Sequence, residues 1–451
     1  MKSRHLLLIN PWISDFAAYD LWSKPLGLLY VGKFLKTYGY DISLIDLLDR
    51  NRWQNHENHS KSDGRGKYLK TIIEKPRAIS DIPRRFGLYG ATKSKFKDAL
   101  LCESTPDAIL VTSLMTYWYI GLQETVDVIR EIFPDVPIIL GGIYATLYPD
   151  HAQKNINPDY IITGYGEKQS LILLDSIFGI NRDYSVINDF DDQGLPPWHL
   201  YKNITYAPIM TSRGCPYNCT YCATNILNPK FIQRNPDDVI SEILQIHSEF
   251  GVRHFPFYDD ALFFNRDNHI IPILRAITEE ELDLVFHTPN GLFANQINEE
   301  LTILMKSAGF KTIRLSLEST QHQIQKASSY KVTNDNIIDA LNFLESAGFN
   351  RSEIEIYLIM GLPQQSYNAV LDSMKFVADQ GAISRLASFS PIPGTKEWKK
   401  AKKLGYVFDD MDPLLTNNSV YICKNRDFTY DNYLELRQMS NELNQKARTH
   451  I

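Results

Sequence analysis

The residues best equipped for chemistry lie in one stretch, Met210-Thr-Ser-Arg-Gly-Cys-Pro-Tyr-Asn-Cys-Thr-Tyr-Cys-Ala-Thr224. Three of the chain's five cysteines, Cys215, Cys219 and Cys222, stand there in the spacing C-x3-C-x2-C. Three crowded thiols with no partner cysteine nearby suit metal ligation better than a disulfide frame. Structural zinc takes four protein ligands, and no obvious fourth is local. An iron–sulfur cluster is normally held by four thiolates. Held by three, a cubane keeps one iron open to a small molecule. A structural zinc knuckle, or thiols close by accident, is the plainer alternative.

With Tyr221 just before the last cysteine, the stretch resembles the signature of the radical S-adenosylmethionine (SAM) superfamily. The resemblance implies a [4Fe–4S] cluster on Cys215, Cys219 and Cys222 whose open iron chelates SAM. It further implies reductive cleavage of SAM to a 5′-deoxyadenosyl radical, with an external electron donor such as flavodoxin or ferredoxin.

Composition sets outer limits. At 451 residues, with 44% hydrophobic content, the chain is long enough for two cores plus an extension. A net charge of −6 without a long basic stretch argues against nucleic acid as main partner. The apolar run Leu6–Ile9 is too short for a signal peptide. Thr112, Ser113 and Thr116 break the longer run Ala108–Leu122, so no membrane span is expected. Few, clustered cysteines fit a reducing cytoplasm.

The elements that must position these groups alternate strand and helix. His5–Asn10, Asp41–Leu47, Asp107–Ser113, Val136–Leu140 and Asp159–Thr163 read as buried strands. Helical patterns at Pro25–Lys36, Gln123–Phe133 and Lys168–Phe178 separate them. This pattern predicts a doubly wound parallel sheet, whose ligands sit at strand carboxyl ends. Those ends carry Thr112-Ser113, Gly141-Gly142 and Gly164-Tyr-Gly-Glu167. Gly141-Gly142 either lets the backbone approach a bulky ligand or makes a tight turn. Residues 50–100 interrupt the sheet as a cap or substrate-side element. His56 and His59 within them would share a face if helical, although a solvated loop is the plainer reading. Cys102 is assigned a structural role.

Lys24-Pro-Leu-Gly-Leu28, Ile138-Ile-Leu-Gly-Gly-Ile-Tyr-Ala-Thr146 and Asp159-Tyr-Ile-Ile-Thr-Gly-Tyr-Gly-Glu167 resemble the cobalamin-binding domain found ahead of many radical SAM domains. The resemblance covers residues 1–185 and implies cobalamin contacts at Thr112, Ser113, Gly141, Gly142, Gly164 and Glu167. A D-x-H-x-x-G motif is absent, so cobalt is expected without a histidine ligand.

Residues 186–207 read as a linker. Strands are then expected at Pro208–Ser212, Arg253–Tyr258, Leu284–Pro289, Thr312–Leu317, Glu355–Met360 and Arg385–Phe389. Six βα units over residues 208–395 match the partial (β/α)6 barrel of the radical SAM fold, with residues 396–451 as a C-terminal extension. Catalytic groups of such barrels lie at strand carboxyl ends. Tyr258-Asp259-Asp260 stands where the family often has Gly-Gly-Glu on the SAM ammonium, and either Asp259 or Asp260 can accept that bond. Asn290 can offer an amide to substrate or cofactor. Ser316 and Glu318 resemble positions near the SAM ribose and methionine, and Met360-Gly361 the turn whose backbone meets adenine. Glu318, a carboxylate within a buried strand, requires a partner. Cys423 is either a core thiol or a proton or hydrogen donor in radical chemistry.

The expectation is therefore an α/β enzyme with a doubly wound sheet followed by the partial barrel, using a [4Fe–4S] cluster, SAM and cobalamin to methylate an unactivated carbon. Non-methylating rearrangement or oxidative cyclisation is the alternative, and a non-enzymatic iron–sulfur or corrinoid protein the less favoured one. No residue chooses among small-molecule, peptide and lipid substrates.

Overall fold

The computed structural model describes residues 3–54, 60–187 and 195–449. His56, His59 and Gly194 of the expected linker lie outside them. The chain forms two compact units, Met1–Thr205 with Asp412–Leu415, and Tyr206–Met411 with Thr416–Ile451.

The first unit is built on β1 (His5–Asn10), β2 (Asp41–Asp46), β3 (Ala108–Val111), β4 (Ile138–Leu140) and β5 (Tyr160–Ile161). All pair in parallel, in the order β5-β4-β3-β1-β2. Leu6, Leu7, Leu8 and Ile9 of β1 are fully buried, as befits a central strand covered on both faces. The order reverses between β1 and β3, so Asn10 and Thr112-Ser113 flank the switch point where such sheets bind ligands. The 50–100 insertion is not a detached cap. Its strand Gly87–Tyr89 pairs antiparallel with Ile13–Asp15, directly after β1, and with Lys70–Ile72. Arg50 fixes the neighbouring turn through Asp20 (3.0 Å) and Ser60 (2.6 Å). Cys102 is exposed at the end of the helix Lys93–Cys102.

In the second unit the parallel strands are β6 (His254–Pro256), β7 (Val285–His287), β8 (Phe310–Thr312), β9 (Arg314–Glu318), β10 (Glu355–Met360) and β11 (Ile383–Ser388). β6-β7-β8 form one sheet, and Leu292–Phe293 with β9-β10-β11 another. The expected fourth strand is thus broken at Ile313, where its two halves change partners. The expected first strand, Pro208–Ser212, is mostly bridges. Ile209 pairs with Phe257, donating to Pro256 O at 2.9 Å and accepting from Tyr258 N at 2.8 Å. Pro208 has no N–H to extend the ladder. Ser212–Arg213 turns instead to pair antiparallel with Ile232–Gln233.

The tail is integral to this unit. The helix Tyr430–Thr449 packs on the helix Tyr367–Asp379 and on β11. Asn444 Nδ2 donates to Ser384 O and its Oδ1 accepts from Ser384 N, both at 2.9 Å. Leu436 is fully buried there. Leu436→Ala should cost about 2–5 kcal/mol, read as a lower urea midpoint; an unchanged midpoint would mean the helix is a dispensable tail.

Candidate active site

The cysteine loop is anchored at its base by a buried carboxylate. Asp259 ends the segment after β6 and accepts from Thr211 N (3.1 and 3.0 Å), Thr211 Oγ1 (2.7 Å) and Ser212 Oγ (2.6 Å). Burial pushes its pKa up and these bonds pull it back. His269 Nε2 completes the group at 2.9 Å from Thr211 Oγ1. Asp259 is therefore committed to its own fold, whereas the adjacent Asp260 is exposed. Crowding by surrounding protein, then the Asp259 charge, push Asp260 up to about 6. Asn290 braces the same segment, donating from Nδ2 to Tyr258 O (2.9 Å) and Asp259 O (3.1 Å).

Beyond this anchor the neighbouring thiols stand close enough to disfavour the ionisation of Cys215 and Cys219. Burial, then the neighbouring acid and thiols, raise Cys215 to about 12 even though Tyr217 N–H donates toward it. Cys219 is buried and donates to Ser328 O at 3.5 Å, whereas Cys222 is exposed and accepts from Thr224 N at 3.4 Å. Among the described residues no three His, Cys, Asp or Glu side chains are gathered tightly enough for a single metal ion.

Glu318 has the partner that its burial demands. Lys331 Nζ lies 2.9 Å from Glu318 Oε1 and 3.3 Å from the Tyr221 hydroxyl. Burial opposes the lysine charge, but Glu318 and the thiols of Cys219 and Cys222 outweigh it and raise Lys331 to about 12. Burial also pushes the Tyr221 phenol well up. Glu318 is held at φ +70, where the register of β9 against β10 shifts. Such strain in a non-glycine residue persists only when its surroundings over-determine it. Nothing in the sequence pattern singled out Lys331, which lies in a polar stretch with no periodicity.

Ser316 is buried beside Gly291, where any Cβ would overlap its hydroxyl. Gly361, at φ +97, packs against the Tyr421 ring, and its amide donates to Gln365 Oε1 at 2.7 Å. Met360 is fully buried. So is Cys423, whose thiol is raised to about 12 by burial and then by Glu397. It is placed as a core thiol.

In the first unit, Ser113 organises the strand ends. Its Oγ donates to Gly141 O (2.6 Å) and accepts from Ala145 N (3.2 Å), and its carbonyl accepts from Ile143 N (2.8 Å). Gly142, at φ +97, is pressed against the Ser113 backbone, where a Cβ would overlap it. The close approach seen there is to the protein's own backbone. Gly164 instead borders open space, and a Cβ at Gly141 would meet only Ile162 O, at 3.9 Å. Thr112 is half-buried, its amide committed to Ile9 O (3.2 Å), and Glu167 is buried at the start of the helix Glu167–Phe178. A recess beside them is lined by Asn10, Trp12, Ser113, Met115, Trp118 and Tyr144. The Asn10 Nδ2 donates to Asp46 Oδ1 at 2.7 Å, but its Oδ1 is buried without a partner.

Two family models match this chain. The model of the radical SAM superfamily matches residues 209–377, and that of the B12 binding domain residues 95–173. The chain is a radical SAM protein with a B12-binding domain. It is 24% identical to the cytidylyl-2-hydroxyethylphosphonate methyltransferase of Streptomyces wedmorensis, over 90% of this chain and 83% of that one. An uncharacterized methyltransferase of Pyrococcus horikoshii is 24% identical over 66% of this chain and 69% of its own. The fold is shared with the radical SAM methyltransferase TsrM of Kitasatospora setae solved with cobalamin and a [4Fe–4S] cluster (TM-score 0.65, 15% identity, 92% and 85% covered). It is shared also with the cobalamin-dependent radical SAM enzyme OxsB solved with aqua-cobalamin and SAM (TM-score 0.60, 15% identity, 98% and 62% covered).

The cofactors of the two domains are a [4Fe–4S] cluster, SAM and cobalamin. The residues present suit them. Cys215, Cys219 and Cys222, neighbouring thiols on one loop, are the residues that would hold the cluster. The first unit offers the orphaned Asn10 Oδ1 at the switch point and open space over Gly164 further along the strand ends. Gly141→Leu should abolish cobalamin retention in gel filtration while the domain stays folded. Gly142→Ala should instead lower the melting temperature by distorting the turn at Ser113. Equal cobalamin retention in Gly141→Leu and the parent would remove Gly141 from the site.

Proposed function

We propose that this protein cleaves SAM reductively and transfers a methyl group to an unactivated carbon of its substrate. The observation that carries the reading is the joining of both domains in one chain that matches the named methyltransferase of Streptomyces wedmorensis over 90% of its length. When bound, the cluster, SAM and cobalamin supply the radical that removes the hydrogen and the methyl group that replaces it.

The chain's residues supply position and charge. Cys215, Cys219 and Cys222 hold the cluster, and Asp259 fixes the loop that carries them. Asp260 accepts from the SAM ammonium, and the Glu318–Lys331 pair with Ser316 orients the ribose and methionine portions. The turn at Met360-Gly361 lies against adenine, its shape kept by Gln365. Asn10, Gly141 and Gly164 receive cobalamin. No helix among the described residues is long and apolar enough to cross a membrane. A reducing, oxygen-poor cytoplasm with an external one-electron donor suits the open cluster.

Two measurements test this reading. After anaerobic reconstitution with hydroxocobalamin, SAM and dithionite, methyl transfer requires two products, 5′-deoxyadenosine and S-adenosylhomocysteine, the second from remethylation of the corrinoid. Deoxyadenosine alone would point to rearrangement or cyclisation, the activity class named for the anaerobic magnesium-protoporphyrin IX monomethyl ester cyclase of Cereibacter sphaeroides, 23% identical over 68% of this chain. Replacing all three loop cysteines with alanine should remove the cubane EPR signal and both products. Glu318→Gln should keep the cluster and weaken SAM binding roughly tenfold to a hundredfold, the usual worth of a hydrogen bond to a charged group; parental affinity would take Glu318 out of the SAM site.

A further inference from the structure

The helix Lys396–Lys403 departs from the charge of the rest of the chain. It carries Lys396, Lys399, Lys400, Lys402 and Lys403, all exposed, in a protein of net charge −6. Its single acid, Glu397, is buried and faces the cluster loop. Glu397 N donates to Thr220 O at 3.0 Å, and Thr220 Oγ1 donates to Glu397 Oε1 at 2.9 Å. Thr220 lies between Cys219 and Cys222, and Cys222 is exposed. Gly394, just before the helix, packs so closely on Ile226 that a Cβ there would press on it. Lysines ordinarily form a solvated face with no further meaning. Here the first turn of that face is hydrogen-bonded to the loop of the three thiols.

The lysines divide by what they already do. Lys400 donates to Pro363 O at 2.9 Å, and Lys402 pairs with Asp409 at 2.5 Å. Lys396, Lys399 and Lys403, spaced three and four apart, share one face.

We propose that this face docks an acidic, low-potential one-electron carrier protein and thereby sets the route by which the cluster is reduced. The inference rests on the radical SAM reading above and names the partner surface of that same site. In the step, a carrier such as a flavodoxin in its hydroquinone form loses one electron and becomes the semiquinone. The oxidised cluster gains that electron, so no further reactant is needed. A negative net charge would repel an acidic partner over most of the surface, and a local basic face selects one approach. The approach it selects ends at the loop whose Thr220 the helix already holds.

The test uses the full chain with its cluster reconstituted anaerobically, and flavodoxin hydroquinone as the probe. In the K399E/K403E variant the second-order rate of cluster reduction by flavodoxin, followed by EPR, should fall about tenfold or more at low salt. The parent's rate should fall as salt rises, with a Debye length of about 8–10 Å near physiological salt, while the variant's should hardly change. The K399R/K403R variant should match the parent, and so should K375E, a charge reversal elsewhere. Reduction by dithionite needs no docking and should be the same in all four proteins, which also controls for folding and cluster content. Parental flavodoxin kinetics and salt dependence in K399E/K403E would overturn the proposal, as would a parent whose flavodoxin reaction ignores salt. Loss of SAM cleavage with dithionite in the parent would instead overturn the reading beneath it, and the two failures are separate.

Discussion

A buried carboxylate holds the reactive end of the second unit together. Removing Asp259 from water is costly, and the cost is met only because two backbone donations from Thr211 N and two hydroxyls converge on it. The same bonds fix where the cysteine loop begins. Had the chain left Asp259 unpaired, both the loop and the strand end would be free to shift. The anchor therefore has two products: a defined base for the three thiols, and a neighbouring Asp260 that is left with an open carboxylate. One acid is committed to structure while the adjacent one stays exposed.

Glu318 and Lys331 follow a similar logic with an ion pair. Each is buried, and each would be expensive alone. Lys331 also feels Cys219 and Cys222, which links the fourth-strand end electrostatically to the thiol loop. The left-handed backbone at Glu318 shows that the strand is bent to make this contact. Position here comes from charge pairing inside a low-dielectric pocket, where such pairs are strong and geometry is exacting.

Sequence periodicity reached the five strands of the first sheet because a parallel sheet covered on both faces needs unbroken apolar runs, such as Leu6–Ile9. It reached β10 for the same reason. It missed the break at Ile313, because a change of sheet partner alters hydrogen bonding without altering hydrophobicity. It also missed the antiparallel pairing of Gly87–Tyr89, whose strand is three residues long and has no period to read. At the site the cysteines were legible from type and spacing. Glu318 was legible from its place in a buried strand, and its need for a partner was stated from charge alone. Lys331 was not, because a loop residue that folds back across 13 positions leaves no local trace.

The two units solve the problem of binding a large cofactor in different ways. Around the thiols, position is made by side chains: Thr211 and Ser212 hold Asp259, and Lys331 holds Glu318. At the switch point of the first sheet it is made by the backbone: Ser113 ties the end of β3 to the Gly141–Ala145 segment after β4 through its hydroxyl and carbonyl, and Gly142 lets the two close on one another. Beside that closure nothing stands over Gly164, and Ile162 O comes no nearer than 3.9 Å to where a Cβ of Gly141 would lie. A glycine pair read from sequence thus conceals a division of labour. Gly142 admits the Ser113 backbone, and Gly141 beside it is only half-buried. A broad, multiply hydrogen-bonding ligand such as a corrin is better met by such a surface of amides and gaps than by a few long side chains, whose ordering would cost entropy on binding.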